Sequence, residues 1–356
     1  LTFLCFGIGV VLNDLILKLY YRDIFDLIAG SAPDPALWPA LIAIFVKIVI
    51  VVFAFNIFWR IGDFCITYQQ ANTLRELANF ALERLQRHSY AFFIGNFTGS
   101  LVAKTKRFVR AFEVLHDKIV FNFWMTGIEL MGILAILWYT SPPLGVFFLC
   151  WCVFYLGITY VYVRYRFPFD AAIAEADSAE TGDIADVVTN ILNVKMFTSS
   201  TTEIKRFMHT TKRKQVARLR AWNRDNIFRM LQSLTMAALE VVGMYIALRL
   251  WLSGDITAGT IILVQTYFIM VSRSAWELRQ AMSDFFRSLS DAVELVEIIQ
   301  QPLEVDDPAV PEACRIASGE IAFQNASFCY VPDKTVLSHL DLSVPGGQRV
   351  GLVGRS

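Results

Sequence analysis

The chain has 356 residues, 55% hydrophobic and 14% aromatic, with a mean hydropathy of +0.48. That composition excludes an ordinary soluble globular protein and makes membrane spans the first expectation. With 32 basic and 32 acidic residues, there is no net field to attract nucleic acid, and no nucleic-acid partner is expected.

A span needs about 20 mostly apolar residues. In chain order, such runs occur at 1–21, 38–59, 119–140, 144–164, 230–252 and 258–278. The short connections "SAPDPALWPA" (31–40), "TSPPLGVF" (140–147) and "SGDITAGT" (253–260) contain no Lys or Arg, whereas 60–118 holds nine and 164–224 holds eleven. The positive-inside tendency places the two long connections, and everything after 278, in the cytoplasm. The bacterial plasma membrane is the expected location.

Ionisable groups inside spans are costly and point to function by default. Four are singled out: Asp14, Lys47, Glu129 and Glu240. Asp14 and Lys47 fall at similar depths on adjacent antiparallel helices, which predicts an ion pair. Asp14–Lys18 and Arg22–Asp26, each four apart, are further helical pairs. For Glu129 and Glu240, lining a cavity and pairing with a neighbouring helix are equally open. The six cysteines and four histidines are scattered, and no cysteine pair has a zinc-ligand spacing, so neither metal nor disulfide is implied.

No proline occurs between Pro39 and Pro142, or between Pro168 and Pro302; the others are expected in external turns or after the membrane region. Such long proline-free runs predict helices that continue from the bilayer into the cytoplasm. One is "YQQANTLRELANFALERLQRHS" (68–89), with Leu74, Leu77, Ala78, Ala81, Leu82 and Leu85 on one face. The cytoplasmic hairpins break at tips near 92–101 and 193–207, and "STTE" (200–203) reads as a capping box opening the next helix. The basic run "TTKRKQVARLR" (210–220) suits anionic headgroups beside a span.

After the Pro- and acid-rich linker at 300–318 the pattern changes from helical to strand-like. "IAFQNASFCY" (321–330) alternates, and "HLDLSV" (339–344) and "RVGLVG" (349–354) flank the turn "PGG" (345–347). This predicts a β-hairpin leading into a buried strand. Gly354, Arg355 and Ser356 then fit the opening of a phosphate-binding GxxxxGK[ST] loop. Tyr330, at a strand end 24 residues earlier, could stack on adenine.

Taken together the sequence resembles an ABC transporter of the exporter type. "GEIAFQNASFCYVPDKTVLSHLDLSVPGGQRVGLVGRS" (319–356) is similar to the start of the family's ATP-binding domain. There Tyr330 matches the aromatic A-loop position, and Gly354, Arg355 and Ser356 match the Walker A opening. "GNFTGSLVAKTKRFVRAFEVL" (95–115) and "VVTNILNVKMFTSSTTEIKRF" (187–207) resemble its intracellular loops, and "SLSDAVELVEIIQQPLEVDD" (288–307) the end of its sixth helix.

The resemblance implies an all-α polytopic membrane domain (1–299) of six long helices in the type 1 exporter fold. A linker (300–318) and the first strands of a P-loop α/β ATP-binding domain (319–356) follow. It also implies coupling helices at the two tips, ATP and Mg²⁺ as cofactors of the full-length protein, and pairing with a second half-transporter. The cargo would be hydrophobic or amphipathic, a lipid, drug or peptide. The alternative is a nucleotide-gated channel or regulatory subunit on the same scaffold. The Walker A lysine and the catalytic acid do not occur in these residues, so this segment is not expected to hydrolyse ATP.

Overall fold

Long apolar runs become long helices because a helix satisfies every backbone polar group without water. In the computed structural model, which describes residues 1–96, 98–197, 200–303, 318–331 and 334–354, five helical stretches are long and apolar enough to cross a membrane. These are Thr2–Ala29, Pro35–Gln86, Gly99–Thr140, Pro142–Thr189 and Ser200–Leu252.

The first stretch is α1 (Thr2–Val10), a π-helical turn (Val11–Ile16) and α2 (Leu17–Ala29). The second is dominated by α3 (Trp38–Gln86), and the short α4 (Tyr90–Gly95) follows it. The third joins α5 (Thr98–Asp117) through a second π-helical turn (Lys118–Trp124) to α6 (Met125–Thr140). Then come α7 (Pro142–Thr189), the short α8 (Ile191–Met196), α9 (Ser200–Leu252) and α10 (Ala258–Ile299).

The sixth expected span lies in α10, which falls outside the apolar set. Gln265 and Arg273 interrupt its apolar run, and its surroundings explain why that is tolerated. This helix packs against α2, α5, α6 and α9, and Leu263, Val264, Tyr267, Phe268 and Val271 are buried. A helix surrounded by protein need not match lipid. Its start is fixed by Asp26, which accepts from Thr257 Oγ1 (2.8 Å) and from the Gly259 amide (2.7 Å). A Cβ at Gly259 would lie 2.3 Å from the Arg22 carbonyl oxygen, so only glycine permits this approach. The expected Arg22–Asp26 pair is therefore replaced: Asp26 takes the unpaired amide of a helix start, and Arg22 pairs with Asp23 at 2.7 Å.

Two expectations about helix continuity need correction or trimming. Pro168 lies inside α7, not in a turn. Of the six residues expected on one face of the 68–89 segment only Ala81 and Leu85 are buried, and Leu82 is exposed. These two meet Phe92, Leu101, Leu295 and Ile298 in an apolar cluster joining α3, α4, α5 and α10. Short helices, α4 and α8, lie at or beside the two tips, and α9 begins at Ser200 with Glu203 in its first turn.

The chain divides into two compact units, Leu1–Pro302 and Leu303–Ser356. In the second, β1 (Ile321–Val331) and β2 (Lys334–Val344) pair antiparallel with an irregular register. Asn325 and His339 adopt positive φ at the irregularities, where the Asn325 amide donates to Asp341 Oδ1 at 2.7 Å. The hairpin therefore closes between 331 and 334, not at "PGG". Pro345 to Gly347 do form a turn, with the Gln348 amide donating to the Pro345 carbonyl at 3.1 Å. The predicted strand 349–354 does not form: Leu352 and Val353 are fully exposed, because a buried central strand needs neighbours on both edges.

Candidate functional site

The most polar part of the membrane unit's interior is a seam where α7, α9 and α10 meet. It arises from spacing. Tyr155, Tyr162 and Arg166 on α7, Asp225, Arg229 and Gln232 on α9, and Ala275 and Arg279 on α10 recur at intervals of four, three or seven, so each set shares one helix face.

The upper part is a buried aromatic and amide cluster. Trp151 donates from Nε1 to the Thr235 carbonyl at 3.0 Å, and Tyr155 donates to the Ala275 carbonyl at 2.9 Å. Gln232, 1% exposed, donates from Nε2 to the Tyr155 hydroxyl at 2.7 Å, while its Oε1 is buried with no hydrogen-bond partner. An unpaired buried acceptor costs about 1–3 kcal/mol and calls for a reason.

The lower part is built on Asp225, whose carboxylate is buried. It accepts from Tyr162, from Arg166 (3.1 Å), from Arg229 (2.8 Å) and, at 3.4 Å, from Arg279. Three guanidinium groups thus surround one carboxylate. Arg166 shares itself with Asp170 at 3.1 Å, and the Arg279 Nε is buried without a partner. One orphan acceptor and one orphan donor therefore face the same seam, which can receive a ligand carrying negative charge and hydrogen-bonding groups.

None of these residues stood out in the sequence. An ionisable group points to function by default only inside an apolar run of about 20 residues, and Arg166, Asp225 and Arg229 lie just past the edges of theirs. The available signal was polar residues at helical spacing on both sides of one long connection.

The residues that did stand out are dispersed. Asp14 accepts from Asn13 Nδ2 at 2.7 Å within the first π-helical turn. Lys47 is exposed on α3, its ammonium 5.9 Å from the Tyr20 ring centroid. No ion pair joins Lys47 to Asp14: the Lys47 side chain reaches Tyr20, six residues further along the chain. Nor does Asp14 pair with Lys18, whose ammonium sits over Tyr21. Glu129 is buried and accepts from Ser274 Oγ at 2.7 Å, linking α6 to α10. Glu240 is half-buried on α9 and forms no ion pair among the described residues.

Of the nucleotide-site expectations, Arg355 and Ser356 lie outside the described residues, as does the Tyr330 side chain. Gly354 is exposed, in neither strand nor helix. A Cβ there would meet nothing within 4 Å, so the described residues form no phosphate cradle of their own.

Long apolar helices around a polar, charge-bearing seam define a polytopic membrane protein of the transporter kind. The chain belongs to the ABC transporter transmembrane region family, whose model matches residues 1–275. An ATM1-type heavy metal exporter of Novosphingobium aromaticivorans is 23% identical over 95% of this chain and 55% of its own length. The mitochondrial ABC transporter B family member 24 of Arabidopsis thaliana is 22% identical over 80% of this chain and 42% of its own. The chain thus spans about half the length of the curated relatives it matches. A bacterial Atm1-family ABC exporter structure with ATP bound superposes with a TM-score of 0.75 at 21% identity, covering 96% of this chain and 61% of that one, which establishes the shared fold.

Proposed function

We propose that this chain is the membrane part of a half-transporter in an ATP-driven ABC exporter, which pairs with a second half and moves an anionic, amphipathic cargo out of the cytoplasm by alternating access. In this reading the long connections and the ATP-binding domain are cytoplasmic, and the membrane is a bacterial plasma membrane. Family membership supports the exporter and its use of ATP and Mg²⁺, which the complete nucleotide domain would hold.

The observation that carries the cargo class is the seam. Arg166, Arg229 and Arg279 bring three positive charges to the single carboxylate of Asp225, beside the unpaired Gln232 Oε1. With Asp170 also on Arg166, one positive charge of the three stays in surplus, and Arg279, the most buried guanidinium, is costly to hold there until an anion compensates it. The names of the relatives add heavy metals and iron–sulfur clusters as cargo. The described residues contain no group of three or more His, Cys, Asp or Glu that could hold a metal ion. A metal cargo therefore suits this seam as a complex whose own ligands carry the negative charge.

The test is ATP-dependent uptake into inside-out vesicles bearing the complete protein, comparing an anionic thiolate complex of a divalent metal with the bare ion and with a cationic dye. Uptake of the complex alone, reduced at least tenfold by Arg279→Ala, is expected. Uptake of the dye, or of the complex undiminished by Arg279→Ala, overturns the cargo class. Flux only down a gradient, with nucleotide bound and not turned over, turns the reading to a nucleotide-gated channel.

A further inference from the structure

Beside the seam, and sharing Tyr162 with it, α7 and α9 enclose an open groove of about 550 Å³. Its walls are apolar, from Phe154, Ile158 and Val161 on α7 and Ile227 and Leu231 on α9, and it ends at one charged residue, Arg224. The Arg224 guanidinium lies over the Phe169 ring, 4.4 Å from its centroid, and 5.8 Å from that of Tyr165. Stacking covers the apolar faces of a guanidinium and leaves its edge donors to point elsewhere. One edge nitrogen reaches the Tyr165 hydroxyl at 3.4 Å. The Nε is buried and has no acceptor.

Depth gives the groove its polarity. The apolar walls fall within or beside the runs 144–164 and 230–252, while Arg224 and Tyr165 sit where those runs give way to polar sequence. Arg213, Arg218 and Arg220 lie further along α9 in the same direction. The polar end therefore sits at headgroup level and the apolar end at acyl-chain level, which is the layout of a phospholipid. Gly157 lies along the groove, and a Cβ there would meet nothing within 4 Å, so no side chain fills the space.

We propose that this α7–α9 groove is a binding site for an anionic phospholipid, with one acyl chain between Phe154, Ile158 and Leu231 and the phosphate on Arg224. The groove borders the cargo seam at Tyr162, which lines it and also donates to Asp225, but the lipid approaches from the bilayer and its phosphate meets Arg224, which forms no ion pair with Asp225. Charge complementarity selects the occupant. Arg224 forms no ion pair among the described residues, so a second protein chain covering this face would need to bring an acid, whereas an anionic lipid carries its phosphate at the right depth.

The experiment uses the complete protein in nanodiscs of phosphatidylcholine containing phosphatidylglycerol, with native mass spectrometry of the lipids retained after extraction. Wild type should hold phosphatidylglycerol over phosphatidylcholine by roughly fivefold, the effect of one well-placed cation. Arg224→Gln should remove the preference while leaving neutral lipid bound. Gly157→Leu, which fills open space, should lower retention of both lipids. Arg220→Gln should leave the preference intact and so separates the groove from general surface charge. Thermal unfolding in the same nanodiscs checks that each variant is folded. The proposal is overturned if folded Arg224→Gln keeps the preference, if Arg220→Gln removes it equally, or if Gly157→Leu separates the two halves without changing lipid retention, which would make the groove a protein interface.

Discussion

Two parts of the first unit extend past the membrane runs, and they are held together by different physics. Where α3, α4, α5 and α10 meet, Ala81, Leu295 and their neighbours form a dry apolar cluster. In the arm made by the ends of α7 and α9, by contrast, no residue is buried among those described from 163 to 190 and from 200 to 220. Ion pairs across the arm take over: Lys214 with Asp177 and Glu180, Arg218 with Asp177 at 3.7 Å, and Arg206 with Asp183 at 3.1 Å. Two of the five basic residues in the run 210–220, Lys214 and Arg218, thus pair with the acidic face of α7. Two helices alone cannot enclose a core, whereas three or more can. The arm is therefore the softer, salt-sensitive part, and the Asp225 cluster ties its base to α10.

The largest expected effect comes from breaking that tie. Asp225→Ala leaves three guanidinium groups without their carboxylate and should cost about 3–5 kcal/mol, read as a lowered unfolding midpoint in nanodiscs, with greater hydrogen exchange along α7 and α9. Next, Leu295→Ala opens a cavity in the apolar cluster and should cost about 2–5 kcal/mol. Its added exchange should appear in α3, α5 and α10 and spare the arm. An equal rise in both regions would refute the division between them.

Smaller effects should separate the regions by charge. Lys214→Ala should speed exchange in α7 near Asp177 and Glu180 without shifting the global midpoint. Raising salt from about 0.01 to 1 M shortens the Debye length from about 30 to 3 Å; the arm should loosen severalfold in exchange rate and the apolar cluster should not. The smallest effect is in acid. The hydrogen bond from Thr210, opposed by partial desolvation and helped by Arg206, holds the Asp183 carboxyl below its usual range. A depressed carboxylate stabilises fully above its unfolded pKa of about 4 and loses that contribution as pH falls through its folded value. The arm should therefore loosen below about pH 4, and Asp183→Asn should reduce that dependence and leave the part carried by Asp177, whose carboxyl Lys214 also holds below its usual range.

The sequence alone determined the membrane class, the long helices running past their apolar windows, the breaks between them and the change to strand pairing after 320. Each follows from composition, periodicity or proline and glycine placement, which are properties of position along the chain. Tertiary structure decided which charged residues meet. Asp14 and Lys47 do not meet, while Asp225, Arg166 and Arg279, far apart in the chain, converge. It likewise decided that Asp26 caps α10 in preference to pairing with Arg22, and that a groove between α7 and α9 ends at Arg224. The physical reason is common to all of these: sequence spacing fixes how far along a helix a side chain sits, but the rotation of one helix against its neighbours is set by packing.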